Sequence, residues 1–227
     1  MRILFIADIH HGPWTGLSYV CSVVSVANQL SPDLILLGGD YVHKNRSYIA
    51  PCFEVLRALK APMGVYGVLG NHDHWQSASE TKAAMSASGI TELTNTGVWL
   101  SKGTGRLRLG GVGDLWEDTQ DLPAALGDAT ASDASILLSH NPDYTENVTD
   151  TRVGLILSGH THGGQIVFPA IGAPFVPSRF GQKYLHGLVK TAHTQVFVSR
   201  GLGTLTPPLR FCCRPELNLI TLSRQPA

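Results

Sequence analysis

The stretch Ser158-Gly159-His160-Thr161-His162-Gly163-Gly164 sets two imidazoles two residues apart, flanked by glycine. Imidazole is the commonest metal-binding side chain, and glycine lets backbone crowd a ligand or turn tightly. Taken alone, the pair reads equally as one structural and one surface histidine in a turn. Four other short stretches carry matching groups: Asp8-Ile9-His10, Gly39-Asp40, Gly70-Asn71-His72-Asp73 and Ser139-His140-Asn141-Pro142. Together Asp8, His10, Asp40, Asn71, His140, His160 and His162 supply two carboxylates, one amide oxygen and four imidazoles. That inventory suits two divalent ions, Mn²⁺, Fe²⁺ or Zn²⁺, and does not suit a thiolate site. Two ions need a bridge, and Asp40 is the candidate because a carboxylate has two oxygens to share. Two cations roughly 3.5–4 Å apart clamp both oxygens of an in-line displacement and acidify a water between them. His72 is a natural acid for an alkoxide leaving group near neutral pH.

The elements that must position these groups can be read from apolar runs. Arg2–Ala7, Leu34–Leu37, Val65–Leu69, Ile136–Leu138 and Val153–Leu157 read as buried strands, each running into one of the polar clusters. If Asp8 and His10 continue an extended strand, its period of two points both to one side and Ile9 to the other. Helices are expected from Ser18 to Leu30, from a Ser47 cap through Leu59, and from a Ser77/Glu80 capping box to Gly89. The first ninety residues thus alternate strand and helix, the mark of a parallel sheet. Short strands follow at 90–93, 98–100 and 107–112, and closing strands at 196–198 and 217–222. Residues 165–179 are apolar and rich in Pro and Gly, without a clean period, and read as a structured loop or distorted hairpin. With Trp14 and Leu17 this stretch either lines a substrate entrance or packs over a sheet edge.

The five clusters in this order resemble the calcineurin-like metallophosphoesterases. The tail Ser199-Arg200-Gly201-Leu202-Gly203, with Ser139-His140-Asn141-Pro142 and Gly163-Gly164-Gln165, is similar to a bacterial phosphodiesterase branch that includes UDP-2,3-diacylglucosamine hydrolase-type enzymes. The resemblance implies a four-layer α/β/β/α sandwich. It implies Asp8, His10 and His162 on one metal, Asn71, His140 and His160 on a second, and Asp40 between them. It implies phosphodiester hydrolysis, with monoesters or pyrophosphates as further substrates, by a metal-activated hydroxide. His72 would face the substrate as general acid beside Asn71, and Asp73 would orient and charge it. His11, His43 and His74 are extra imidazoles near the motifs, expected behind the ligands or at the surface.

Composition bounds the rest. The chain has 227 residues, 43% of them hydrophobic, and a formal net charge of +0. One domain over residues 1–227 is expected, with a real core, no disorder and no nucleic-acid-binding patch. Cys21, Cys52, Cys212 and Cys213 make no Cys-x-x-Cys pair and read as reduced thiols. Met1-Arg2 runs straight into the first strand with no leader and no stretch is long enough to span a bilayer, so a cytoplasmic location is expected. The membrane anchor common in the resembled branch is not expected in this chain. The expected partner is a small-molecule or lipid-linked phosphate ester, compatible with peripheral membrane contact, and no protein partner is implied. Two alternatives stand beside this reading: a pyrophosphate hydrolase of a lipid-linked nucleotide sugar, and a non-catalytic metal-binding scaffold on the same fold. A protein phosphatase is disfavoured by the apolar loop, since a shallow polar groove would be needed.

Overall fold

The structure is a computed structural model, and it describes residues 1–223. Strand β1 (Arg2–Ile6) leads through α1 (Leu17–Gln29) to β2 (Leu34–Leu37). Helix α2 (Ile49–Leu56), β3 (Val65–Gly67), α3 (Asn71–Ala87) and β4 (Thr91–Glu92) come next. The β1–β4 strands run parallel, and β11 (Asn218–Thr221) closes this sheet antiparallel to β1, giving the order β11-β1-β2-β3-β4. A second sheet holds β5 (Thr96–Lys102), β6 (Gly105–Gly111), β7 (Ala134–Leu138), β8 (Leu155–Ser158), β9 (Gly187–Lys190) and β10 (Gln195–Val198), in the order β5-β6-β7-β8-β10-β9.

The central strands β1, β2, β7 and β8 are almost continuously apolar because both of their faces are covered. In β1, Ile3 and Phe5 face the second sheet while Leu4 and Ile6 face the helices; in β2, Leu34 and Leu36 oppose Ile35 and Leu37 in the same way. From the other side, Ile136, Leu138 and Leu157 meet Ile3 and Phe5 between the sheets. Leu137 and Ile156 face outward, under α4 (Leu122–Leu126) and the 3-10 segment Pro142–Asn147. Four layers result, the fourth reduced to a five-residue helix and short 3-10 turns.

Several expected boundaries shift. Helix α1 begins after Gly16, not at Ser18, and has no side-chain cap. Asn45, not Ser47, caps the turn that leads into α2. Helix α3 begins at Asn71, and Ser77 is a kink inside it with extended backbone (φ 175°, ψ 101°). Ser77 still caps the helical turns beyond the kink, its Oγ accepting from Glu80 N at 3.3 Å. Strand β9 is an addition to the expected elements. Its alternating partly buried and exposed residues fit an edge strand that pairs only with β10.

Every parallel strand that carries a cluster delivers it just past its C-terminal end. Asp8 and His10 follow β1, Asp40 follows β2, Asn71 follows β3, His140 follows β7, and His160 and His162 follow β8. Ligands collect at this edge of α/β sheets because loops leave the strands together there.

Candidate metal centre

The seven strand-end residues converge, all at most 4% exposed. His10 Nε2 lies 3.0 Å from His162 Nε2 and 3.3 Å from Asp40 Oδ2. On the other side of Asp40, His140 Nε2 is 3.2 Å from Oδ2. His160 Nδ1 is 3.0 Å from Asn71 Oδ1 and 3.3 Å from His140 Nε2. His162 Nε2 is 3.9 Å from Asp8 Oδ1. The polar atoms therefore fall into two neighbouring groups that meet at Asp40.

The loops that carry them are not extended strand. Asp8 (φ 54°), His10 (φ 48°), Asp40 (φ 58°), His160 (φ 70°) and His162 (φ 52°) all have left-handed backbone. Asp8 and His10 do reach the same site, but by this twist and not by strand alternation, since β1 has already ended at Ile6. Each such residue costs on the order of 1–3 kcal/mol and persists only where its surroundings over-determine it. Here a ladder between loops does so: Asp8 N donates to Gly39 O (3.0 Å), His10 N to Asp40 O (3.0 Å) and Gly203 N to Asp8 O (2.7 Å). Asp8 Oδ1 accepts from His160 N at 2.9 Å, and Asp40 Oδ1 from His72 N at 2.9 Å.

Glycine makes room for the first carboxylate. A Cβ on Gly159 would sit 2.5 Å from Asp8 Oδ2, and one on Gly201 (φ +66°) would sit 2.7 Å from the same oxygen. Asp8 is thus held in a slot walled by backbone from β8 and from the segment after β10.

Charge in this cluster is unresolved by protein alone. Burial pushes Asp8 up to about 7, reinforced by Asp40, against the attraction of His140. Burial also opposes the charge on Asp40, yet His140, His72 and His10 hold its carboxyl well below the ordinary value. Burial drives His10 and His162 well below 6.5, and drives His160 to about 3 with help from His140. His140 alone goes the other way: burial works against its charge, but Asp40 and then Asp8 raise it well above 6.5. Asp8 Oδ2 is buried with no hydrogen-bond partner. Paired lone-pair donors and an unsatisfied buried carboxylate oxygen are what divalent cations satisfy. Three overlapping sets of residues fit the spacing of a shared ion: Asp8/His10/His162, Asp8/Asp40/His140 and His10/His43/His72.

His72 sits at the edge of this cluster, in the first turn of α3. Its ring lies 4.7 Å from that of His10 and 4.5 Å from that of Trp75. The expected role of Asp73 in orienting it is not what the structure shows. Asp73 accepts from the backbone N–H groups of Asp40 (2.7 Å), Tyr41 (2.9 Å) and Gly70 (2.9 Å), so its carboxylate ties the β2 and β3 loops together. The ring of His72 is met by His43, Nδ1 to Nδ1 at 3.1 Å. Burial, and then His72, lower His43 to about 4, so it meets its neighbour as a neutral ring.

Other expectations sort themselves by contact. His11 is buried and bonds Thr15 O at 2.9 Å, which shapes the loop after β1. Arg200 pairs with Glu216 at 3.4 Å and lies beside His186. Asp114 is a carboxylate that the motifs leave out, although Gly113-Asp114 repeats the glycine-carboxylate pattern after β6. It is buried, accepts from Trp116 N and Glu117 N, and has Oδ2 unpartnered. Burial raises its pKa against the pull of His140. Arg210 also lies outside the motifs; it caps the carbonyls of Arg200 and Gly203 behind His162, and no local pattern marks it.

A cavity of about 480 Å³ opens over the cluster. Its floor holds Asp40, Asn71, His72, His160 and His162, and its walls are Trp75, Trp116, Ile166, Phe168, Phe175 and the segment Leu205–Pro207. Trp116 packs edge-on against His160, with ring centroids 4.4 Å apart. The apolar 166–180 stretch therefore does line an entrance, whereas Trp14 and Leu17 are exposed elsewhere and do not wall this cavity. No helix among the described residues is long and apolar enough to cross a membrane.

Comparison with known proteins places this geometry. The calcineurin-like phosphoesterase family matches residues 1–164. Phosphodiesterase YaeI of Escherichia coli is 34% identical over 225 residues, covering 97% of this chain and 82% of that protein. The uncharacterized metallophosphoesterase YkuE of Bacillus subtilis is 35% identical over 225 residues, covering 97% and 78%. Among solved structures, NAD nucleotidase of Haemophilus influenzae superposes with a TM-score of 0.59 at 15% identity, covering 88% of this chain and 50% of that one. TT1561 of Thermus thermophilus gives 0.56 at 15% identity, covering 88% and 89%. These two share the fold, a two-sheet sandwich flanked by helices. With its strand-end donors gathered at one buried centre, the chain belongs to the calcineurin-like phosphoesterase family and is a metal-dependent phosphoester hydrolase.

Proposed function

We propose that the protein hydrolyses phosphodiesters at a centre of two divalent ions. Asp8, His10 and His162 would hold one ion and Asn71, His140 and His160 the other, with Asp40 within reach of both groups. The observation that carries this reading is the spacing of the donor atoms. The contacts on either side of Asp40 run from 3.0 to 3.9 Å, close enough for neighbouring donors to share an ion. His140 Nδ1 bonds Gly38 O at 2.8 Å, which fixes the ring with Nε2 inward. When bound, the ions supply positive charge for phosphate oxygens and an acidified water.

The residues of the chain do the rest. Asn71 and His72 face the cavity and hold the phosphoryl group in place. His72, engaged at Nδ1 by His43, leaves Nε2 free to deliver a proton to the departing oxygen. Trp75 and Trp116 keep water from the flanks of the site.

The test is a panel of phosphodiesters, monoesters and pyrophosphates assayed with added Mn²⁺. Turnover of a chromogenic diester that disappears on chelation and returns with metal is expected. No hydrolysis anywhere on the panel, with metal content shown to be full, would sink the reading. A narrower version, cleavage of the pyrophosphate of a lipid-linked nucleotide sugar, is favoured by the apolar walls of the cavity. It predicts that removing the acyl chains from such a substrate lowers kcat/KM sharply.

A further inference from the structure

We infer that the rim of the cavity is a docking surface for an anionic lipid bilayer. The rim is apolar and outward-facing. Ile171 is 75% exposed, Phe175 74% and Leu209 54%, with Phe168, Phe180 and Phe211 also exposed. These side chains are not scattered. Val167 N donates to Phe211 O at 2.9 Å, Phe168 and Phe211 have ring centroids 5.7 Å apart, and Ile171 N donates to Phe168 O. The 166–175 turn and the 207–211 segment therefore form one ridge, and Phe168 and Phe175 continue from it into the cavity. Single exposed apolar residues need no explanation, but a contiguous set at the mouth of a site does.

The charge around the ridge names the occupant. The net charge of zero conceals an uneven distribution along the chain. From residue 151 to residue 215 the sequence has no Asp or Glu and seven Arg or Lys. Three of the seven are committed: Arg152 to Asp150, Lys183 to Glu146 and Arg200 to Glu216. Arg210 is turned inward onto backbone carbonyls. Arg179 and Arg214 are exposed and form no ion pair among the described residues; Arg179 adjoins Phe180 in the rim loop and Arg214 follows Phe211 by three residues, whereas Lys190, paired with Gln195, lies at the far end of the sheet. The carboxylate that touches this loop, Asp143, is buried and engaged by Ser178 Oγ and Arg179 N, so the exposed surface offers bulky apolar tips beside unpaired cations, which match the boundary between acyl chains and anionic headgroups. A soluble acidic protein would use the cations but gain little from Ile171 and Leu209 raised into solvent. Docked this way, the cavity faces the bilayer, so an amphiphilic phosphoester reaches His72 without leaving the membrane; this last step rests on the function proposed above, whereas the docking does not.

The experiment is sedimentation of the full chain, stripped of metal by chelation, with vesicles of phosphatidylglycerol and phosphatidylcholine. The parent protein is expected to bind the anionic vesicles at least about tenfold more tightly than pure phosphatidylcholine, and added salt should weaken that binding. Ile171→Ser with Leu209→Ser should lower partitioning about tenfold, and Arg179→Glu should lower it on anionic vesicles only. Both variants should keep the parent's hydrolysis of a water-soluble diester when reloaded with metal, which separates a docking defect from misfolding or from a wrong assignment of chemistry. Equal binding of parent and double variant overturns the inference. So does a parent that ignores vesicles but changes oligomeric state when Ile171 and Leu209 are replaced, because the ridge would then be a contact between copies of the chain.

Discussion

The floor and the rim of the cavity are built on opposite plans. The floor, taken with the donors beneath it, is buried and polar: Asp8, His10, Asp40, His160 and His162 have left-handed backbone, and hydrogen bonds between loops hold them. The rim is exposed, apolar and held mainly by turns and two isolated bridges. The floor spends stability on strained geometry, because donor atoms must meet within tenths of an ångström. The rim needs only area and shape. On the function proposed above, chemistry falls to the tightly bonded part and the choice of substrate to the part that can change without disturbing it.

This contrast can be broken from either side. The largest effect is expected at the shared carboxylate. Asp40→Asn should lose ions from both halves of the centre and bring diester hydrolysis below detection, read by elemental analysis and turnover together. His72→Ala should keep the metal content of the parent and lower kcat by about 10²–10⁴-fold; a loss of metal instead would make His72 a ligand. Gly159→Ala forces Asp8 from its slot, since the added Cβ would lie 2.5 Å from Oδ2. It should weaken metal binding by about 10–100-fold, measured by competition with a chelating dye, and should also lower the thermal midpoint of the metal-free protein, because the same Cβ would lie 2.8 Å from Ala7 Cβ. The smallest effect belongs to the rim: Phe175→Ala should cost about tenfold in kcat/KM on a diester with an apolar arm and almost nothing on a small one. If both substrates suffer alike, floor and rim are not separable.

Much of the floor is legible in the sequence because strand ends are local. An apolar run followed by Gly and Asp or His announces itself, and Asp8, His10, Asp40, Asn71, His140, His160 and His162 all fall within a few residues of a strand that forms. The features that the sequence hides depend on partners distant in the chain. Asp73 reads as a partner for its neighbour His72, but its carboxylate answers to backbone N–H groups of Asp40 and Tyr41, more than thirty residues away. His43 looks peripheral for the same reason, lying 29 residues from the ring it meets. The left-handed turns at Asp8 and His10 leave no trace in the pattern, because an extended strand would have served it equally. Trp75 and Trp116 reach the cavity only once α3 and the β6 loop have been brought together, a contact fixed by Trp75 Nε1 donating to Glu117 Oε1 at 2.7 Å.

The glycine slot around Asp8 sets an order of events. The family match ends at residue 164, and every polar group of the floor has been made by then. One wall of the slot, Gly201, and the Gly203 N–H that fixes the Asp8 carbonyl have not. A growing chain can therefore carry the complete set of donors while lacking the seat of the first. The Asp8 slot is complete only once the segment after β10 has folded against it.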